Sequence, residues 1–531
     1  MLYVTLFHSH TFSITRHCVS SVSHLPCFIV SLICLAMSVR DRGQGLSAVR
    51  RCSGGFAFAL ADLSVINRPY TQTHTQQHLM PAYLFAMAFG SVTAGALLWA
   101  WMRPRRATQL PRLVNPSASY FSPLDYEKAR SEFRAAARGA GAALHTLPLQ
   151  GDCWGGACGD SDAFKGPDGL TIEVAVLRGS GAQSSGPALL HMSGVHGVEG
   201  IAGSAIQTRW LHLVASGEAQ MPKGVTAILV HLVNPYGFKH GRRYNENNVD
   251  LNRNCIVKGV QTPGNETLSF EWCRDSHPAK EAYQAFSYAM NWSRRWRAPW
   301  DDALFLLRAA YLLCLHKYTT LKRAAISGQY FNDKGIWFGG FCLQPSHEAL
   351  LAFLRRECGS HNPIVHLDVH TGLGPCGVDT MLYKYREEVA AFCVEALGEP
   401  KQKGYIMGSK ADEKNAAAGY DLTKGLSSMY LPILGAQAPG WKQGLSMTQE
   451  FGTVSPIAVI KACARENAAF VHGATQEEAK EAAAEVRDAF YVHSSAWQEA
   501  VMKRGVTVLQ QLLENLHRVP RISPHPSPGI V

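Results

Sequence analysis

The chain has no pair of cysteines at CxxC spacing, no internal repeat and no basic run interleaved with aromatics. Its 14 cysteines are spread out, so neither a zinc ribbon nor a dense disulfide scaffold is indicated; Cys153 and Cys158 lie close enough in sequence to pair, and separate buried thiols are the alternative reading. The net charge of +10 comes from scattered Lys and Arg, so the electrostatic footprint of a nucleic-acid binder is missing and no nucleic-acid partner is expected. Charged residues make up only 17% of the chain against 47% hydrophobic, the balance of a folded protein rather than a disordered or fibrous one. At 531 residues more than one domain fits, although a single α/β enzyme domain often takes about 250 residues or more.

Acidic residues are nearly absent at the start: residues 1–79 hold only Asp41 and Asp62, and no helical or strand period persists there. That segment reads as disordered, as a targeting sequence, or as an extension upstream of a working start at Met80. Residues 82–102 carry no charge at all and end abruptly at Arg103, Arg105 and Arg106. About 20 apolar residues suffice for a helix to cross a bilayer, so this run predicts a transmembrane helix or signal anchor, with Tyr83, Trp99 and Trp101 as interfacial residues. The positive-inside rule then leaves the rest of the chain in the cytosol. Cleavage of a signal peptide would instead deliver it to the secretory pathway or an organelle lumen, and a buried soluble helix is the bland alternative.

From Ser117 to Leu513, strand-like runs (171–177, 188–192, 225–232, 364–369) alternate with helical ones (123–137, 201–215, 347–357, 387–397). Such alternation predicts an α/β fold of three layers, α/β/α, around a mixed, mainly parallel sheet. Residues 266–325 break the pattern. They are helical, rich in aromatics such as Trp292, Trp296 and Trp300, and read as an insertion over the site. Residues 514–531 read as a disordered tail.

Four motifs carry chemistry. HMSGVHGVEGIAGS opens at the end of an apolar strand and places His196 and Glu199 three residues apart in a glycine-rich turn. Imidazole and carboxylate are what zinc takes in catalytic sites, with three protein ligands and one open position. In HLDVHTGLGP, His370 closes a buried strand and supplies the third ligand, with His366 as competitor; Asp368, on the same side of that strand, is placed to support it. NPYGFKHGRRYNENNVDLNRN is too rich in Arg and Asn for a core and offers groups that hold a carboxylate or an oxyanion. SMTQEFGT places Glu450 at a strand end, where a carboxylate can serve as general base. Read singly, HxxE is weak and surface pairing explains it as well. The set in this order is specific.

In that order, HGVE, NPYGF, RRYNENNVDLNRN, DVHTG and TQEFGT resemble the site motifs of zinc metallocarboxypeptidases of the carboxypeptidase A type, and most of all the branch called domain of unknown function 2817. GQYFNDKGIWFGG fits that branch better than the digestive enzymes. The resemblance implies one zinc per chain held by His196, Glu199 and His370, with Glu450 activating water. It implies that Arg243, or Arg242, polarises the scissile carbonyl and that Asn252 and Arg253 grip a substrate carboxylate. The substrate-capping tyrosine of that clan has no clear match; Tyr430 stands in a plausible loop.

The expected activity is removal of a C-terminal residue from a peptide or peptide-like amide. An amidohydrolase acting on N-acyl amino acids is the second enzyme reading, since its substrate also carries a free carboxylate. A catalytically inactive, membrane-tethered peptide-binding domain is the reading from another class.

Overall fold

The computed structural model describes residues 119–122, 124–149, 169–262, 266–384, 386–398, 423–437 and 444–520. The expected extension 1–79, the apolar run 82–102, Cys153, Cys158 and the tail beyond 520 lie outside them. Among the described residues, no helix is long and apolar enough to cross a membrane.

Strands β1 (Ala143–Pro148), β2 (Thr171–Arg178), β3 (Ala188–Ser193), β4 (Thr226–His231), β5 (Ile364–Cys376), β6 (Asp379–Tyr383) and β7 (Gly444–Gly452) form one sheet in the order β1-β2-β4-β3-β5-β7-β6. The central strands β4, β3, β5 and β7 run parallel, while β1, β2 and β6 are antiparallel to their neighbours. The sheet is therefore mixed with a parallel centre. Every residue of β3 and β4 is buried, as expected of strands covered on both faces.

Helices supply that cover. The main ones are α1 (Tyr126–Gly139), α2 (Gly200–Ser216), α3 (Pro235–His240), α4 (Phe270–Ser276), α5 (Lys280–Met290), α6 (Trp300–Leu315), α7 (Tyr318–Ser327), α8 (Pro345–Cys358), α9 (Glu387–Leu397), α10 (Tyr430–Gln437), α11 (Pro456–Val471), α12 (Gln476–Phe490) and α13 (Ser495–Asn515). One face of the sheet presents Leu189, Leu229, Leu367 and Met447 to a core shared with α1, α2, α9 and α13. The alternate residues Leu190, Met192, Ile228 and Val230 face a second core with α8 and α10. This is the period-two consequence of the pleat.

Two boundaries differ from expectation. Strand β5 does not stop at His370 but continues to Cys376, because Gly372 (φ 142°) and Gly374 (φ 106°) let the chain kink where a Cβ would oppose it. A register shift between Gly372 and Cys376 marks the kink. Nor does a disordered tail begin at 514. Helix α13 runs to Asn515 and a short turn follows to Arg518, since Leu512, Leu513 and Leu516 are fully buried.

Within the helical insertion, α4 to α7, the helices α5 to α7 pack around Tyr283, Phe286, Met290 and Leu321, joined by Tyr244 and Trp337 from outside it. Trp292 and Trp296 pack at 4.5 Å, while Trp300 is 79% exposed. The excursion leaves and returns through a neck. Asn254 Nδ2 donates to the carbonyls of Gly339 and Cys342, both at 2.8 Å, and Tyr330 Oη donates to the Arg253 carbonyl at 2.6 Å.

Candidate metal centre

The site lies at the carboxyl edge of the parallel strands. After β3 the chain turns through His196 into a single 3-10 turn, Gly197–Glu199, before α2. Gly197 is obligatory there: a Cβ would come within 2.2 Å of the Gly237 carbonyl carbon, so only glycine lets this turn rest on α3. Glu199 is thereby buried below His196. His370 arrives from β5, and Glu450 is its register partner on β7.

Ligand atoms of His196, Glu199 and His370 all lie within 4.8 Å of one another. Glu199 Oε1 is 2.9 Å from His196 Nδ1, and Glu199 Oε2 is 2.9 Å from His370 Nδ1. The two Nδ1 atoms are 3.1 Å apart. On its far side, His370 Nε2 meets Asp368 Oδ2 at 2.8 Å, which accepts in turn from Ser427 Oγ at 2.6 Å. His196 Nε2 meets Asp250 Oδ1 at 3.0 Å. A carboxylate behind an imidazole fixes the ring and raises its basicity.

The electrostatics call for positive charge in this cluster. Burial opposes a charged His370 ring, yet Asp368 and Glu199 raise it well above the ordinary imidazole range. Burial likewise opposes ionisation of Asp250, but Arg243 and His196 hold it well below the usual carboxylate range. Two imidazoles and one carboxylate, each oriented by a buried partner, form a donor set that suits zinc.

Glu450 is buried beside this cluster, its Oε1 accepting from the Leu373 amide at 3.0 Å. Burial, and then the Glu199 charge, push it up to about 7. Arg243 donates from Nη1 to Glu199 Oε1 at 2.8 Å and from Nε to Asp250 Oδ2 at 3.1 Å, and its Nη2 lies 2.7 Å from His196 Nε2. Burial opposes its charge, and Asp250 and Glu199 restore it.

These residues open onto a cavity of about 190 Å³ lined by His196, Glu199, Arg243, Asn252, Arg253, His370 and Glu450. Asn252 Oδ1 accepts from the Ser427 amide at 2.8 Å. Arg253 donates to the carbonyls of Asn252 and Ile326, leaving its buried Nε without a partner.

Three residues the sequence offered, two of them as alternatives, do not line the cavity. Arg242 does not face the cavity: it bonds Glu466, the Asn245 carbonyl and Asn248 Oδ1, and stacks on Phe470 at 3.4 Å. Tyr430 is fully buried with its hydroxyl 2.6 Å from His347 Nδ1, so it holds the core together and cannot cap a substrate. His366 stays in the sheet between Ser446 and Met192, away from the cluster. Conversely, the parts played by Asp250 and Ser427 were not read from the sequence. Asp250 had a signal, an acid bracketed by Val249 and Leu251 in a strongly polar loop; Ser427 had none.

Fold and site together define an α/β protein with a buried His-Glu-His cluster at the carboxyl edge of a mixed sheet. Residues 121–504 match the family described as Protein of unknown function (DUF2817), and the chain belongs to it. No curated protein matches the chain. Among solved structures, bovine thrombin-activatable fibrinolysis inhibitor is similar at 11% identity and TM-score 0.39, covering 75% of this chain and 99% of that one. Carboxypeptidase A from Helicoverpa armigera is similar at 12% identity and TM-score 0.31, covering 70% and 75%. A candidate member of the succinylglutamate desuccinylase/aspartoacylase family from Shewanella amazonensis is similar at 16% identity and TM-score 0.27, covering 65% and 70%.

Proposed function

We propose that the protein is a zinc-dependent hydrolase that cleaves an amide bond next to a free carboxylate, in the manner of a metallocarboxypeptidase. The observation that carries this is the convergence of His196, Glu199 and His370 within 4.8 Å, with Glu450 paired to His370 on the next strand. Zinc held by those three residues would supply a Lewis acid for the carbonyl and a more acidic water.

Glu450 takes the proton of the attacking water and hands it to the departing amine. A carboxyl pushed up to about 7 is suited to both transfers near neutral pH. Arg243, buried and charged, donates hydrogen bonds to the oxyanion that forms on the carbonyl. Asn252 and Arg253 hold the substrate carboxylate on the same cavity wall. Deacylation of N-acyl amino acids is the second reading, favoured by the apolar character of the remaining walls. By sequence alone, residues 82–102 support a single-pass anchor with this site on the cytosolic side.

Elemental analysis of the purified protein, run beside a Glu450→Gln variant on C-terminal peptides and N-acyl amino acids, tests the reading. About one zinc per chain with turnover abolished in the variant is expected. A protein that takes no zinc even on reconstitution sinks it.

A further inference from the structure

Apart from Lys322, the polar groups lining the cavity come from the strand ends and the loops beside them, with Ser427, Ser428 and Thr448 accompanying the charged residues of the site. The cavity walls come from the insertion and from α11, with Met290, Phe305, Leu313, Leu321, Ile457 and Ile460 among them. Of the described side chains those segments contribute, Lys322 alone is polar. Their backbone is helical, so its amides are already paired, and an extended peptide laid along it would leave its own N–H and C=O groups without partners. An aliphatic chain makes no such demand.

The two arginines give the cavity a direction. Arg253 belongs to the carboxylate end, bonded to the Ile326 carbonyl. Arg243 belongs to the carbonyl end, where Phe490 lies with its ring centre 5.9 Å from the guanidinium carbon and packs with Val459 of α11. The α11 side of the apolar surface thus begins beside the carbonyl and runs to Ile457, with Leu313 across from it, while Ala325 and Ile326 border the carboxylate end; Leu313 and Ile457 are 44% and 37% exposed and mark the opening to solvent.

We propose, on the basis of the hydrolase reading above, that the group on the carbonyl side of the scissile amide is a long aliphatic acyl chain, making the substrate a fatty N-acyl amino acid. The oxygen of water bonds to the acyl carbon, the carbon–nitrogen bond breaks, and the proton passes to the leaving nitrogen. The products are a fatty carboxylate and a free amino acid.

The test uses the full-length, zinc-loaded protein and an N-acyl-phenylalanine series from acetyl to dodecanoyl, with blocked tripeptides of matched length as comparison. Each methylene buried against the wall should raise kcat/KM about three- to fourfold until the chain reaches the opening. Binding of the same series to zinc-loaded Glu450→Gln should follow the same slope without turnover. Leu313→Asp and Ile457→Asp should flatten both slopes while zinc stays at one per chain. Affinity independent of chain length, or tripeptides preferred over long acyl chains, would overturn the proposal. Length-dependent binding with no hydrolysis by the wild type would instead keep the acyl-chain site and remove the hydrolase reading.

Discussion

Asp250 holds His196 and Arg243 with its two oxygens, Oδ1 at 3.0 Å from the imidazole Nε2 and Oδ2 at 3.1 Å from the guanidinium Nε. One buried carboxylate therefore orients both an expected metal ligand and the expected oxyanion donor. Asp250→Asn should weaken zinc binding about 10- to 100-fold, as loss of such a partner does elsewhere, and chelator competition reads it directly. Unchanged affinity would mean that His196 does not depend on this contact.

Glu450 should be needed for turnover and dispensable for binding. The Glu450→Gln variant should lose on the order of 100- to 10,000-fold in kcat with zinc content and KM little changed, because the amide keeps the shape and loses the proton transfer. A parallel rise in KM would point to a binding role.

The adjacent arginines should separate in their kinetics. Arg243→Ala removes an oxyanion donor and should cost roughly 100-fold in kcat, and because it also strips Glu199 and Asp250 of their buried cation it should lower the thermal midpoint as well. Arg242→Ala leaves Glu466 unpaired in the interior and should cost about 3 kcal/mol or more of stability, read by denaturant titration. Equal kinetic effects would contradict their opposite orientations.

Much of this was legible in the sequence because the parallel centre of the sheet writes itself as apolar runs, and because ligands at strand ends sit beside glycine turns. His196, Glu199, His370 and Glu450 all fall in such places. What escaped was tertiary. Nothing local distinguishes Arg242 from Arg243; the direction of each is set by Glu466, 224 residues away along the chain, and by Asp250. Tyr430 looks like a loop residue until His347 is seen to bind it from α8.

Glu246 gives a pH signature distinct from catalysis. Burial pushes its carboxyl up to about 7, and Oε1 is buried without a partner. Because the folded value lies above the unfolded one, its contribution to stability is complete below about 4.5 and lost as pH rises through 7. Glu246→Gln should therefore raise the melting temperature at pH 8 and change it little at pH 4.5. A gain equal at both pH values would refute the assignment.

The neck at Asn254, Tyr330 and Gly339 has a bearing on how proteins with this centre diversify. Because the excursion from α4 to α7 is pinned where it leaves the sheet and meets the site through Ile326 and Tyr244, its outward-facing parts can be lengthened or varied without retuning the ligands beneath, provided those two contacts are kept. Selection can act on substrate choice and on chemistry as separate traits, and a designer exchanging those parts between family members would inherit the same independence.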